Sequence, residues 1–243
     1  MTDRPILFRA PMIRALLDGR KTQTRRLLKP QPPEAFDFFG FMDDEHKPGR
    51  KWALWLDDAG DDARAPIPYA PGDLLWVKET WRLPKRLDAM SPSQCAAACL
   101  EAGYKRPWAP IDYAANGACI NWSAQDGGYG RDRSSIHMPR WASRLTLTVT
   151  DVRVQRLQDI TEADAWAEGC KRGEPWDNGK GFFPAEEPHQ SGKCWIGWDD
   201  AQDWFADLWD DIHGSGAWYE NPWIVALTFG VHRRNIDSME AAA

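Results

Sequence analysis

The chain has 243 residues and a formal net charge of −6, with a pI near 5.4. That is enough length for one large domain and a substantial core, and the acidic balance argues against holding long nucleic acid mainly through phosphate contacts. No apolar run approaches the roughly 20 residues a membrane span needs, and the first residues lack a signal-like apolar core, so a cytoplasmic location is expected. Five cysteines (Cys95, Cys99, Cys119, Cys170, Cys194) form no C-x-x-C pair, which disfavours a disulfide framework. A zinc set from Cys95, Cys99, Cys119 and His137 has the spacing of no standard finger, so no metal is expected. The 15 tryptophans are core residues by default, yet flat indole faces also suit a small planar ligand.

Taken in chain order, residues 11–19 read as a short helix. Proline stands in its first turn, Gly19 stops it, and Met12, Ile13, Leu16 and Leu17 form its apolar face. A basic run comes next, with Arg20, Lys21, Arg25, Arg26 and Lys29 inside eleven residues. Residues 30–70 are rich in Pro, Asp and Gly without sustained periodicity and read as an insertion or long loop. The Pro71-Gly72-Asp73 turn feeds a strand over 74–81.

Beyond it the pattern weakens, with a short helix over 93–102 and a polar loop over 121–133. Alternation of Leu145, Leu147 and Val149 against Thr146, Thr148 and Thr150 marks a strand, whose phase shifts around Asp151. Residues 159–169 read as a helix capped by Asp159 or Thr161 and stopped by Gly169. Residues 171–198 read as a loop. Residues 199–214 form an amphipathic helix through Trp204, Phe205, Leu208, Trp209 and Ile212. A strand over 221–231 closes the fold, and 237–243 reads as a disordered tail. Few helices, short strands and long excursions point to an α+β fold around a small barrel. No G-x-G-x-x-G or P-loop pattern is present.

Lys21 and Thr24 stand three positions apart beside that basic run. Such side chains face alike on a helical turn and oppositely on a strand, and the Gly19 stop favours a turn. A basic surface turn, a phosphate clamp and a reacting pair all fit this spacing. For chemistry, the threonine hydroxyl needs a base, and a lysine with pKa ~10.4 becomes one only if its charged form is disfavoured. Burial and Arg25 or Arg26 would do that, while a nearby carboxylate would oppose it.

The stretches LLDGRKTQTRR, PGDLLWVKETW, ITEADAWAEG and NPWIVALTF together resemble the ASCH family, with its PUA-like β-barrel. The likeness covers the barrel elements, about half the chain, and treats 30–68, 82–138 and 171–198 as insertions in a single domain over 1–236. The chain also resembles phage and prophage proteins sharing IHMPRWASR. Small ASCH proteins of the YqfB type are amidohydrolases that remove acyl groups from N(4)-acetylcytidine and related cytosine derivatives. The resemblance implies Lys21 and Thr24 as the catalytic lysine and threonine, and Glu168 as the acid–base glutamate, with Glu162 lying close by. It implies a nucleoside or modified-pyrimidine substrate and no metal or cofactor.

Around that set, Arg25 and Arg26 are expected to bind substrate. Glu79 and Trp81 share one face of their strand by two-residue alternation, so Trp81 is expected to stack on a pyrimidine and Glu79 to accept a hydrogen bond from it. Arg140 and Trp141 are expected where the middle insertion returns, with His137 outside the set. Two competing readings are an RNA- or modified-base-binding module without catalysis and a metal-independent ASCH-type ribonuclease.

Overall fold

The computed structural model describes residues 3–103, 107, 109–117, 127–176, 181–185 and 198–240. They fall into two compact units, one of residues 19–73 and 149–230, the other of residues 3–18, 74–148 and 231–240. The class is α+β. No described helix is long and apolar enough to cross a membrane.

In the second unit, β1 (Asp3–Leu7) leads into α1 (Ala10–Leu17), which buries Ile13, Ala15 and Leu16 and ends at Asp18. Gly19 comes next at φ 75°, a left-handed conformation that glycine adopts without a Cβ clash. In the first unit, the basic segment becomes β2 (Gln23–Leu27).

The segment expected as a loop then forms a three-stranded antiparallel sheet of β3 (Asp37–Asp43), β4 (Lys51–Leu56) and β5 (Asp62–Ile67). Its strands hide from a periodicity test for local reasons. The run Trp52-Ala53-Leu54-Trp55-Leu56 is apolar on both faces, and Pro66 sits in the edge strand β5, where a missing amide breaks no interior ladder. One face buries Ala53, Trp55, Ala65 and Ile67. Phe38 and Trp55 pack on Trp223, with ring centroids 5.7 and 5.5 Å away. Gln31 fastens the same spot, donating to the Trp223 carbonyl and accepting from its amide, each at 2.8 Å. A buried Arg50–Asp73 pair (Nη1–Oδ2 2.5 Å) pins the exit from β5, and Arg50 also donates to the Pro68 carbonyl at 3.0 Å.

The strand expected over 74–81 is split in the second unit. It becomes β6 (Leu74–Lys78), parallel to β1, and a two-residue β7 (Trp81–Arg82). The helix expected at 93–102 is α2 (Pro92–Glu101), held by a Ser91–Gln94 capping box. β8 (Asp112–Tyr113) pairs with β7. A core of Trp81, Leu83, Cys95, Ala109, Met138 and Ala142 fills the space between these pieces.

The long strand β9 (Thr146–Arg156) starts antiparallel to β6, and burial passes from Val149 to Val154, opposite in parity, as the phase shift at Asp151 implies. In the first unit come α3 (Glu162–Ala167), the hairpin β10 (Lys171–Trp176) and β11 (Gly181–Ala185), and α4 (Ala201–His213). The hairpin replaces part of the loop expected over 171–198; residues 177–180 and 186–197 lie outside the described residues. Thr161 caps α3 through the Asp164 amide, and Asp200 caps α4 through the Asp203 amide. In α4, Trp204, Phe205 and Trp209 are buried, whereas Ile212 is exposed.

β12 (Trp223–His232) pairs antiparallel with β2, Leu227 opposite Thr24. The main sheet has the hydrogen-bonded order β1-β6-β9-β12-β2. No described pairing joins β1 to β2, so this sheet is open rather than the closed barrel expected. The chain ends in α5 (Asp237–Glu240) where a disordered tail was expected; residues 241–243 lie outside the described set.

Candidate functional site

The site lies in the first unit, where α3 stops beside the start of β2. The turn expected at 20–22 is an extended segment instead. Lys21 forms a β-bridge with Glu168, the Thr22 amide donates to the Ala167 carbonyl at 2.8 Å, and the Thr22 carbonyl accepts from the Phe229 amide at 2.9 Å. The backbone around Lys21 is thereby stitched on one side to the end of α3 and on the other to β12. Glu168 is the C-terminal cap residue of α3, and Gly169 at φ 108° turns the chain away.

Lys21 is 1% exposed. Its Nζ donates to Glu168 Oε2 at 2.6 Å and to the Glu168 carbonyl at 2.8 Å. The other carboxylate oxygen, Oε1, accepts from Arg25 Nη1 at 2.9 Å. Arg25 Nη2 lies 3.2 Å from Asp164 Oδ2, and the guanidinium sits 5.6 Å from the Phe205 ring centroid. Asp164 also accepts from Arg153 Nη2 at 3.1 Å. Both Glu168 oxygens therefore accept from a nitrogen donor, which fixes the carboxylate in position and orientation.

Charge balance bears on the protonation of Lys21. Two of the hydrogen bonds at Nζ go to Glu168. Among the buried and partly buried groups here, Arg25 and Arg26 supply two fixed positive charges, and Glu168 and Asp164 two negative ones. Arg153 is 40% exposed and is shared with Asp151, so solvent screens much of its charge. Guanidinium keeps its proton, so Lys21 is the cation that can give one up, and the cluster balances when it does. The titration points the same way. Burial lowers the Lys21 pKa from its ordinary value, Arg26 and Arg25 lower it further, and the charge and hydrogen bond of Glu168 oppose them without prevailing.

Thr24 is 4% exposed on β2. By strand alternation it shares a face with Arg26, while Lys21, Gln23 and Arg25 take the other, so the extended segment sets Lys21 and Thr24 on opposite faces rather than side by side as a turn would. The Arg26 charge acts on both Lys21 and Glu168, so the face that carries Thr24 shares their electrostatic neighbourhood. Arg25, expected to touch substrate, is instead fully buried and occupied by the two carboxylates. Glu162, the neighbouring glutamate, is committed elsewhere: its carboxylate accepts from the Ala201 amide at 3.0 Å and the Gln202 amide at 3.3 Å, capping α4.

The other expected binding residues lie in the second unit and have partners of their own. Glu79 is 1% exposed and gripped by Arg144 at 2.8 and 2.9 Å, with that guanidinium stacked 4.0 Å from the Tyr113 ring centroid. Burial raises the Glu79 pKa against the opposing Arg144, and pushes the Tyr113 hydroxyl up to about 12 with help from Glu79. Trp81 is 0% exposed, with Arg133 5.4 Å from its ring centroid and Trp141 edge-on at 6.3 Å. It is a core residue, so the expected stacking on a pyrimidine is corrected, and Trp141 packs against the same core. Arg140 pairs with Asp3 at 2.8 Å and Asp237 at 2.6 Å, an anchor for the chain ends rather than a free ligand arm.

Asp164, Gln23, Arg153 and Phe205 join the site without having been singled out in the sequence. The i, i+4 spacing of Asp164 and Glu168 in ITEADAWAEG is the signal that would have found the first. Among the described residues, no group of three or more His, Cys, Asp or Glu is arranged to hold a metal. Cys95, Cys99 and Cys170 are thiols rather than disulfide partners, and Cys119 and Cys194 lie outside the described residues. No family model matches the chain, and no curated protein or solved structure matches it either.

Proposed function

We propose that the chain is an ASCH-like amidohydrolase, with a PUA-like ancestry for its main sheet, that removes acyl groups from the exocyclic amine of N(4)-acylated cytosine nucleosides. The observation that carries this reading is the buried Lys21–Glu168 pair, held by Arg25 and balanced in charge when the amine is neutral. In the mechanism, Lys21 takes a proton, relayed by water, from the Thr24 hydroxyl or from a water that Thr24 holds, as the oxygen attacks the acyl carbon. The tetrahedral oxyanion collapses, the C–N bond breaks, and the proton passes through the Lys21–Glu168 pair to the departing cytosine nitrogen. Where Thr24 is the attacking oxygen, a water then cleaves the threonyl ester by the same proton route and restores the hydroxyl; in either case the acyl carbon gains one oxygen from water, nitrogen gains one hydrogen, and no redox step is needed. Arg26 supports the substrate carbonyl or a terminal phosphate.

The same geometry weighs against an RNA-binding reading of the basic run. Lys21 and Arg25 are buried and engaged with Glu168 and Asp164, so they add little to a phosphate-binding stripe. The test is direct. Purified protein incubated with N(4)-acetylcytidine without added metal is expected to yield cytidine, followed by absorbance, at a rate proportional to enzyme. Absence of turnover across a panel of N(4)-acylcytidines, together with salt-sensitive RNA binding, would replace this reading with a binder; release of shorter oligonucleotides would replace it with a nuclease.

A further inference from the structure

We propose that Asp164 is a positioning residue of the Lys21–Glu168 site, acting through Arg25. This rests on the reading above and deepens it. Asp164 stands one helical turn before Glu168 on α3, so both carboxylates face β2. The planar guanidinium of Arg25 lies between them: Nη1 donates to Glu168 Oε1 at 2.9 Å, and Nη2 stands 3.2 Å from Asp164 Oδ2 as an ion-pair contact rather than an aligned hydrogen bond. Its side chain is 0% exposed, so its second partner is the Asp164 carboxylate rather than a substrate group. Asp164 is oriented in turn from two strands, by Arg153 of β9 and Gln23 of β2.

This relay of contacts has an electrical consequence. Burial alone would favour protonated Asp164, but the bonds from Arg153 and Gln23 and the charges of Arg25 and Arg153 outweigh it and lower its pKa. An ionised Asp164 neutralises Arg25. Glu168 then meets a hydrogen-bond donor of nearly balanced charge. The charged groups acting directly on this pair are Arg25 and Arg26 from β2; behind them, Asp164 from α3 faces Arg25, Arg153 from β9 faces Asp164, and Tyr69 from the segment after β5 acts on Arg26, while α4 contributes the uncharged Phe205. Without the Asp164 charge, the full Arg25 charge acts on Lys21 and lowers its pKa further.

The experiment compares wild type, Asp164→Asn and Asp164→Glu by steady-state kinetics on N(4)-acetylcytidine across pH, and by NMR titration of the Lys21 Cε signal. Asp164→Asn is expected to lower kcat about tenfold to a hundredfold with KM little changed. Its acid limb and its Lys21 titration are expected to move to lower pH. Asp164→Glu keeps the charge, so both midpoints stay at the wild-type position while kcat falls less. A purely structural role would lower Tm and leave both midpoints in place, which overturns the proposal, as does a wild-type kcat in both variants. Should Asp164→Asn fail to fold, Asp164→Glu decides alone, a shifted Lys21 midpoint or an undiminished kcat counting against the proposal. If wild type hydrolyses no acylcytidine yet the Lys21 titration still moves in Asp164→Asn, the functional reading fails and the positioning role stands.

Discussion

Lys21→Ala and Thr24→Ala are each expected to cut kcat/KM on N(4)-acetylcytidine by about 10³-fold or more while the protein stays folded, the upper range for losing a general base or its nucleophile. Thr24→Ser keeps a hydroxyl and is expected to retain measurable turnover, separating loss of the oxygen from loss of packing. Lys21→Ala leaves Glu168 with Arg25 as a 2.9 Å partner, so the carboxylate is not abandoned in the interior. Wild-type turnover in both alanine variants would remove the catalytic assignment altogether.

Glu168→Ala is expected to be the most destabilising change at the site, by about 3–5 kcal/mol at neutral pH, because it strips the buried counter-charge from Arg25 and the side-chain hydrogen-bond acceptor from Lys21 Nζ. Lys21 and Glu168 side chains are only 2% and 3% exposed, so solvent offers little compensation. The pH dependence has a definite sign. The folded-state Lys21 pKa lies below the ordinary 10.5, and losing Glu168 lowers it further. Between the folded and unfolded values the unfolded chain binds more protons, so stability rises with pH there. Denaturant unfolding of Glu168→Ala is therefore expected to show part of the lost stability returning as pH climbs towards 10.5. A loss under about 1 kcal/mol, flat in pH, would instead mean that the pair behaves like an exposed surface bridge.

Those elements that carried both a period and a cap were readable from sequence. The helix ending at Gly19, the Thr161-capped α3, the amphipathic α4 and the strands β9 and β12 all appear near their expected places. The sheet formed by β3, β4 and β5 was not readable, because β4 is apolar on both faces and Pro66 argues against a strand unless it lies at an edge. Lys21 was misplaced on a turn because Gly19 signals the end of a helix but not the conformation of the residues after it; long-range bonds to Ala167 and Phe229 make that segment extended. Trp81 illustrates the default for indole: alternation gave it a face, and burial made that face core.

At the site, the spacing of Lys21 and Thr24 and the glutamate at 168 were legible as motif positions. The choice between Glu162 and Glu168 was not, since both lie on one short helix; the capping of α4 by Glu162 separates them. Nor could sequence reveal that Arg25 turns inward. Strand parity says which neighbours share its face, and the paired carboxylates one turn apart on α3 say why that face is occupied.

The most direct measurement is the titration of the Lys21 ammonium in the folded wild-type protein, read from its Cε chemical shift by NMR with Lys21→Met to assign the signal. A midpoint clearly below 10.5, moving lower still in Glu168→Gln, is the predicted result. A midpoint at or above that ordinary value would mean that the Glu168 charge outweighs burial, leaving a locked ion pair and no base for the hydrolytic step.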